Sequence, residues 1–426
     1  MGLNNPEMQR KGAGFVFTYK HQNTTISFDR IRENRGLEAE ITISYLEFTI
    51  HWARLVLASS SGREGLARTL KNAHEGLVWG EVLAECCHRV ALAYRNAEPT
   101  IDLASCPSTP LEYLIRPLVL KDSTTLIYGD GATGKSLVAM WLAVILSDPP
   151  QRLPSSISLP TREPKNVIYF DWEDQPGEAA TRLRRLSKGM GKSRTPTVFY
   201  RKMHQPLVDC LAEMQSEIDR VGAELAIVNS IGPACGGDMN DAAIAVQTMK
   251  SIDLLPCGRL AVHHITNESA KGKGKARPFG STYFRNLSRN NWEISVDDEG
   301  ADEDELILAL EQEKANFSAK RRSPIALQVA FEGSDGPITI SGGDLSKSHV
   351  LSERLSLATR IANLVKESGP LWTGEIASEL DVSESVFRKV ASRSSQLVEM
   401  DSRPGKTGKG TEKRWGLAEL HLVQES

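Results

Sequence analysis

Hydrophobic and polar positions divide the chain into stretches with different periodicities. Near the start, Phe15-Val16-Phe17-Thr18-Tyr19 and Thr24-Thr25-Ile26-Ser27-Phe28 are rich in strand formers and predict a hairpin. Ile41–Tyr45 predicts a further strand. From Gly80 to Tyr94 the spacing is helical, with Val82, Leu83, Cys86, Val90 and Leu92 on the apolar positions. Short apolar runs then alternate with helical patterns. They predict strands at Asn166–Phe170, Thr197–Tyr200, Leu225–Val228, Leu260–Ile265, Asn291–Val296, Leu306–Glu311 and Ile325–Phe331. Such alternation argues for a mostly parallel sheet. Ser341-Gly342-Gly343 predicts the start of a linker.

The last stretch predicts a small third unit. Leu357, Ile361, Leu364 and Val365 mark one helix, and Thr373–Leu380 a second. After the turn Asp381-Val382-Ser383, Ser383 is placed to cap a third helix, Glu384–Arg393. Two strands, Leu397–Asp401 and Lys413–Leu417, flank a basic glycine-rich loop. This order resembles a winged helix-turn-helix. The resemblance implies a recognition helix presenting Arg388, Lys389 and Arg393, and a wing whose cations include Lys406 and Lys409, for duplex DNA. The competing reading is a protein-binding unit with a solvated basic loop.

The most specific motif is Gly129-Asp130-Gly131-Ala132-Thr133-Gly134-Lys135-Ser136, which fits the phosphate-binding P-loop. An apolar run, Thr125–Tyr128, precedes it and a helical pattern, Leu137–Ala143, follows. Its glycines free backbone N–H groups for phosphate oxygens, and the helix dipole favours the same anion. Lys135 is expected at the β- and γ-phosphates of ATP and Ser136 on Mg²⁺.

Composition narrows the class without deciding it. The 426 residues allow two or three domains, and the formal net charge of −3 gives no whole-chain sign of nucleic-acid binding. Six scattered cysteines form no C-x-x-C pair and no zinc spacing, which suits a reducing cytoplasm. Adjacent Cys86-Cys87-His88 would diverge on one helix, so a packed face is the expected reading. No apolar run reaches transmembrane length and no signal pattern opens the chain, so a cytoplasmic protein without membrane contact is expected. Asp297–Glu305, seven carboxylates in nine residues, predicts a solvated loop.

Three strand ends carry candidate chemistry. Asn166–Phe170 runs into Asp171-Trp172-Glu173-Asp174, and a carboxylate there can orient an attacking water. Leu225-Ala226-Ile227-Val228-Asn229 reads as a Walker B strand with Asn229 where an aspartate usually supports Mg²⁺. The amide keeps the shape and lacks the charge, so weaker Mg²⁺ handling or slower turnover is expected. Leu260–His264 ends in two histidines, for which γ-phosphate sensing and a buried core role stand equally. The basic loop that follows carries Lys271, Lys273, Lys275 and Arg277. It suits contacts to a nucleic-acid backbone, against the plain alternative of a solvated loop.

Taken together, 109–342 resembles RecA-like ATPases, and within them replicative helicases of the RepA and DnaB kind. The resemblance implies an α/β P-loop core with a mostly parallel sheet, between an α+β region at 1–108 and, past a linker at 343–352, the winged-helix unit at 353–426. It also implies that Glu173 is the catalytic base, that His264 senses the γ-phosphate, and that Ser136 and Asn229 attend the metal. Gly280-Ser281 followed eight residues later by Arg289 matches the family's arginine-finger spacing. Arg289 would therefore act in the neighbouring subunit's site, which implies a ring, a hexamer. Lys314 matches a second trans contact only loosely. The loops Gly232–Ala242 and Asn267–Pro278 would hold single-stranded DNA in a central channel. The expectation is an ATP- and Mg²⁺-driven DNA translocase or helicase for replication of a plasmid, phage or mobile element. An ATP-gated DNA-binding regulator, which Asn229 favours, and a recombinase-like filament former are the alternatives.

Overall fold

The computed structural model describes residues 6–11, 14–33, 36–74, 76–95, 100–108, 110–265, 278–297, 304–316, 323–352, 355–404 and 411–418. At the N-terminus five antiparallel strands follow one another in sequence order: Glu7–Lys11, Gly14–Tyr19, Thr24–Glu33, Leu37–Tyr45 and Phe48–Val56. Alternate residues, among them Phe15, Phe17, Ile26, Phe28, Ile41 and Ile43, turn to one face. That face is covered by helices Ser60–Ala73 and Trp79–Arg95. The first and last strands were not evident from sequence. Glu7–Lys11 is almost wholly polar, and Phe48–Val56 is a largely exposed edge. Cys86 and Cys87 are buried and free, and burial pushes both thiols up to about 12, while His88 is exposed. The three side chains diverge as a helix requires.

Beneath this region lies a nine-stranded sheet. Six strands run parallel, in the spatial order Phe199–Lys202, Val167–Asp171, Leu225–Asn229, Gly258–His264, Thr124–Gly129 and Asn290–Asp297. Glu305–Ala315, Ile325–Phe331 and Ile338–Gly342 extend it antiparallel. The strands Thr124–Gly129, Val167–Asp171 and Leu225–Asn229 are buried on both faces and read as largely apolar runs. Helix Lys135–Ser147 is buried along almost its whole length against the sheet. An apolar helix has no other stable place in water. Counting only the four strands that carry the site candidates and the one that follows, the order is fifth, first, fourth, third, second. The P-loop strand therefore stands between the last two, and the site loops gather at one edge of the sheet.

A ninth strand, Ile338–Gly342, pairs with Ile325–Phe331, so Ser341 and Gly342 belong to the sheet. Beyond it, Leu345 and Leu351 pack on Ala309, so 343–352 docks on the sheet. The C-terminal unit contains helices Leu357–Ser368, Thr373–Glu379 and Glu384–Ala391 and a small sheet of Leu371–Trp372, Thr411–Leu417 and Leu397–Pro404. Ile361, Val365, Ile376, Phe387, Leu397 and Trp415 form its core. Ser383 caps the third helix by accepting the Val386 N–H at 3.4 Å.

Candidate active site

The turn at Gly129–Ser136 is shaped by two positions that tolerate no side chain. A Cβ at Gly129 would collide with the Ile294 carbonyl, and Gly134 sits at φ 77°. The loop is closed by its own bonds: Thr133 Oγ1 donates to the Asp130 carbonyl at 2.9 Å, and Lys135 Nζ donates to the same oxygen. Burial pulls the Lys135 amine below its ordinary value, and the charges of Glu173 and Asp130 oppose that pull.

Behind the loop, a line of polar groups runs from the first turn of the helix Lys135–Ser147 across two strands. Ser136 Oγ donates to Asn229 Oδ1 at 3.1 Å, and Asn229 Nδ2 donates to Asp171 Oδ1 at 3.2 Å. Asp171 and Asn229 are adjacent across the parallel ladder and completely buried. Asp171 Oδ1 also accepts the N–H groups of Glu173 at 2.9 Å and Asp174 at 3.1 Å, which fixes the turn that presents Glu173. Burial raises the Asp171 pKa, and these hydrogen bonds act against it.

Glu173 is half-buried and held from two sides. Ser230 Oγ donates to its Oε1 at 2.6 Å, and His264 Nε2 lies 3.4 Å from the same oxygen. The His264 contact holds the carboxyl below its ordinary range, against the effect of burial, with help from Ser230 and Lys135. The neighbouring histidine has a different role. His263 is fully buried, touches the Phe279 carbonyl at 2.9 Å and packs edge-on to Phe284. Burial drives its pKa down to about 4, so it is a neutral core group at pH 7. Of the two histidines, His264 is the one in contact with the candidate base.

Arg289 is not part of this cluster. Its N–H donates to the Thr124 carbonyl at 3.1 Å, at the end of the P-loop strand remote from Gly129. Five residue steps of strand, roughly 16 Å, separate the two ends. Lys314 lies at the same remote end and donates to the carbonyls of Arg285, Asn286 and Ser288, closing the helix Tyr283–Leu287. Ser281 N–H donates to the Met239 carbonyl at 2.7 Å, which ties the Gly280-Ser281 turn to the loop after the Walker B strand.

In the C-terminal unit Arg388, Lys389 and Arg393 are exposed, and Arg388 pairs with Glu384 at 2.7 Å. The base of the hairpin is pinned by Arg403, which pairs with Glu412 at 2.9 Å and stacks on Trp372. Lys271, Lys273, Lys275, Arg277, Lys406 and Lys409 lie outside the described residues.

Ser136 Oγ and Asn229 Oδ1 are hard oxygen donors side by side at the mouth of the P-loop, with a buried carboxylate behind them. That set fits Mg²⁺, which is bound by few protein oxygens together with phosphate oxygens and water. Among the described residues no group of three or more His, Cys, Asp or Glu side chains is placed to hold a metal.

Residues 92–270 match the family model described as an AAA domain. With the P-loop motif at Gly129–Ser136, this match supports a P-loop ATPase in the central unit. A KaiC-like protein from Pyrococcus horikoshii OT3 is among the similar solved structures, at 9% identity and a TM-score of 0.36. The match covers 55% of this chain and 99% of that one. No curated protein matches the chain in sequence. P-loop ATPases generally bind ATP with Mg²⁺. Among the described residues, no helix is long and apolar enough to cross a membrane.

Two residues of the P-loop ATPase site were not singled out from sequence. Ser230 simply follows the Walker B position, and nothing local marks it as a partner of a carboxylate 57 positions away. Asp171 was visible as one of three acids after a strand, but only the ladder register shows that it backs Asn229.

Proposed function

We propose that this chain is an ATP-driven DNA translocase or helicase that works as a ring of identical subunits, a hexamer, in replication of a plasmid, phage or mobile element. Glu173 carries the hydrolytic half of the reading, being held by Ser230 and His264 beside the P-loop. In this role its carboxylate takes the proton of the water that attacks the γ-phosphate. Its lowered pKa keeps it ionised and able to accept that proton at neutral pH. Lys135 neutralises phosphate charge, and Ser136 with Asn229 would hold Mg²⁺, which would supply further charge neutralisation.

The coupling to DNA rests on connectivity. His264 ends the strand leading into 266–277, and the Gly280-Ser281 turn at the far end of that segment is bonded to Met239 in the other candidate channel loop. A change at Glu173 on loss of γ-phosphate thus has a short path to both loops, through the His264 contact, the chain that follows it and the Ser281–Met239 hydrogen bond. Arg289, too far from its own P-loop to serve it, is assigned to the neighbouring subunit's site. The order helix, short strand, two helices and hairpin supports reading 353–426 as a winged helix that engages duplex DNA.

Steady-state ATP hydrolysis with and without single-stranded DNA tests the proposal. Turnover stimulated several-fold by DNA, from an oligomer sized in solution, is the expected result. The second reading, an ATP-gated DNA-binding regulator, is favoured by the uncharged Asn229. ATP-dependent duplex binding with no turnover under any DNA condition would replace the first reading with the second.

A further inference from the structure

The Walker B position lacks a charge, yet a charge is present one strand away. Asp171 stands directly beside Asn229 in the ladder, and its Oδ1 accepts the Asn229 amide at 3.2 Å. The other end of that amide, Oδ1, faces Ser136 at 3.1 Å. A carboxylate behind an amide N–H pulls the N–H toward itself and leaves the amide oxygen richer in electron density. The effect is strongest where water is excluded, as it is around these two fully buried side chains.

Besides the Asn229 amide, Asp171 Oδ1 accepts the two turn N–H groups of Glu173 and Asp174. Asp171 Oδ2 is buried without a hydrogen bond, and among the described residues no Lys or Arg forms an ion pair with Asp171. The nearby Arg182 is paired with Asp174 at 2.6 Å, and the Tyr200 hydroxyl donates to the Asp174 carbonyl at 2.8 Å. Two carboxylates at 171 and 229 would stand about 3 Å apart, a distance at which both do not stay ionised. Asn at 229 and Asp at 171 are therefore complementary, with one negative charge between two touching side chains.

We propose that Asp171 is a positioning residue that supplies the missing Walker B charge, acting on nucleotide-bound Mg²⁺ through the amide of Asn229. This rests on the P-loop site binding a nucleoside triphosphate with Mg²⁺, and not on DNA translocation. It follows that Asn229 is no simple loss of function, since the pair retains the formal charge of the usual aspartate.

The test is equilibrium binding of a fluorescent ATP analogue to the full chain, with Mg²⁺ and with the metal chelated. The quantity read is the factor by which Mg²⁺ tightens binding. Asn at 171 still accepts the two turn N–H groups, so Asp171→Asn removes charge with little change of shape. It is expected to shrink the Mg²⁺ factor about tenfold, the usual scale for groups behind a metal ligand, and to leave chelated binding unchanged. The swap Asp171→Asn/Asn229→Asp is expected to restore the factor. Asn229→Asp alone is expected to melt below the swap.

An unchanged Mg²⁺ factor in Asp171→Asn overturns the proposal. So does an equal loss of binding with and without Mg²⁺, or a swap that restores nothing, since each marks Asp171 as a support of the turn only. If Asp171→Asn does not fold, the swap against the wild-type chain decides: a matched Mg²⁺ factor supports the shared charge and a lost one overturns it. A wild-type chain that binds no analogue would instead sink the P-loop reading beneath it.

Discussion

At the Gly129 end of the P-loop strand, Lys135, Ser136, Asn229, Asp171, Glu173, Ser230 and His264 are tied into one network of hydrogen bonds and close charges. At the Thr124 end, Arg289 is exposed, and among the described residues its guanidinium makes no hydrogen bond or ion pair. Its neighbour Lys314 is occupied by three carbonyls of its own chain. Around Glu173 the first end is organised in advance by hydrogen bonds, while Lys135 has to exchange the Asp130 carbonyl for phosphate when a nucleotide arrives. The second end offers one unengaged cation on a surface, as the proposed role in a neighbouring subunit's site requires. The contrast teaches that the groups at the first end are held by burial and by one another, whereas Arg289 is held by neither.

The largest effect is expected at the organised end. Lys135→Ala should abolish ATP turnover with the fold intact, read as hydrolysis beside a thermal melt; unchanged turnover would break the P-loop assignment. Next comes the remote end. Arg289→Ala should lower turnover by about a thousandfold, the lower range for arginine fingers, and leave nucleotide affinity in place. Mixing it with the Lys135→Ala chain should restore part of the rate, because one of the two orders of a mixed interface joins an intact P-loop to an intact Arg289. Normal hydrolysis by Arg289→Ala alone would remove the contrast altogether.

A smaller effect lies under the organised end, at His263. Its folded pKa of about 4 is below the ordinary 6.5, so the unfolded chain binds the proton more readily. The contribution is complete above pH 6.5 and is lost as pH falls toward 4, by up to about 3 kcal/mol. Urea midpoints followed from pH 7 to pH 4.5 should therefore fall less steeply for His263→Gln than for the wild-type chain. Equal slopes would show that this ring does not drive the acid sensitivity.

Gly280→Ala should cost on the order of 1–3 kcal/mol, seen as a lower melting temperature, because φ is 81° and the new Cβ would meet the Met239 carbonyl. A neutral result would argue that the turn is free of the loop it is bonded to. Smallest of all, Arg388→Ala or Lys389→Ala should each reduce the salt dependence of duplex binding by about one counterion, with little effect on hydrolysis. A fall in DNA-free hydrolysis instead would mean that the C-terminal unit communicates with the nucleotide site directly.

Much of the fold was legible because its signals are local. The central strands of the parallel sheet are buried on both faces, so they stand out as apolar runs between helical patterns, and their ends were located to within a few residues. Edge strands were not legible. Glu7–Lys11 is polar on both faces, and Ile338–Gly342 ends in the serine and glycines that suggested a linker. The same division holds at the site. Lys135 and Ser136 are specified by a motif eight residues long, whereas Ser230 and Asp171 acquire their partners from strand register and side-chain direction.

The sequence by itself determined which strand carries a phosphate-binding turn, which acids and histidines end the neighbouring strands, and that a helical unit with a basic hairpin closes the chain. These are properties of spacing within one segment, where the covalent chain sets the geometry. Tertiary structure decided that His264 and not His263 touches Glu173, that Arg289 is remote from its own P-loop, and that Asp171 lies behind Asn229. Each of those depends on which strands become neighbours, and the pairing of strands far apart in the chain is fixed only when the whole sheet buries its apolar faces together.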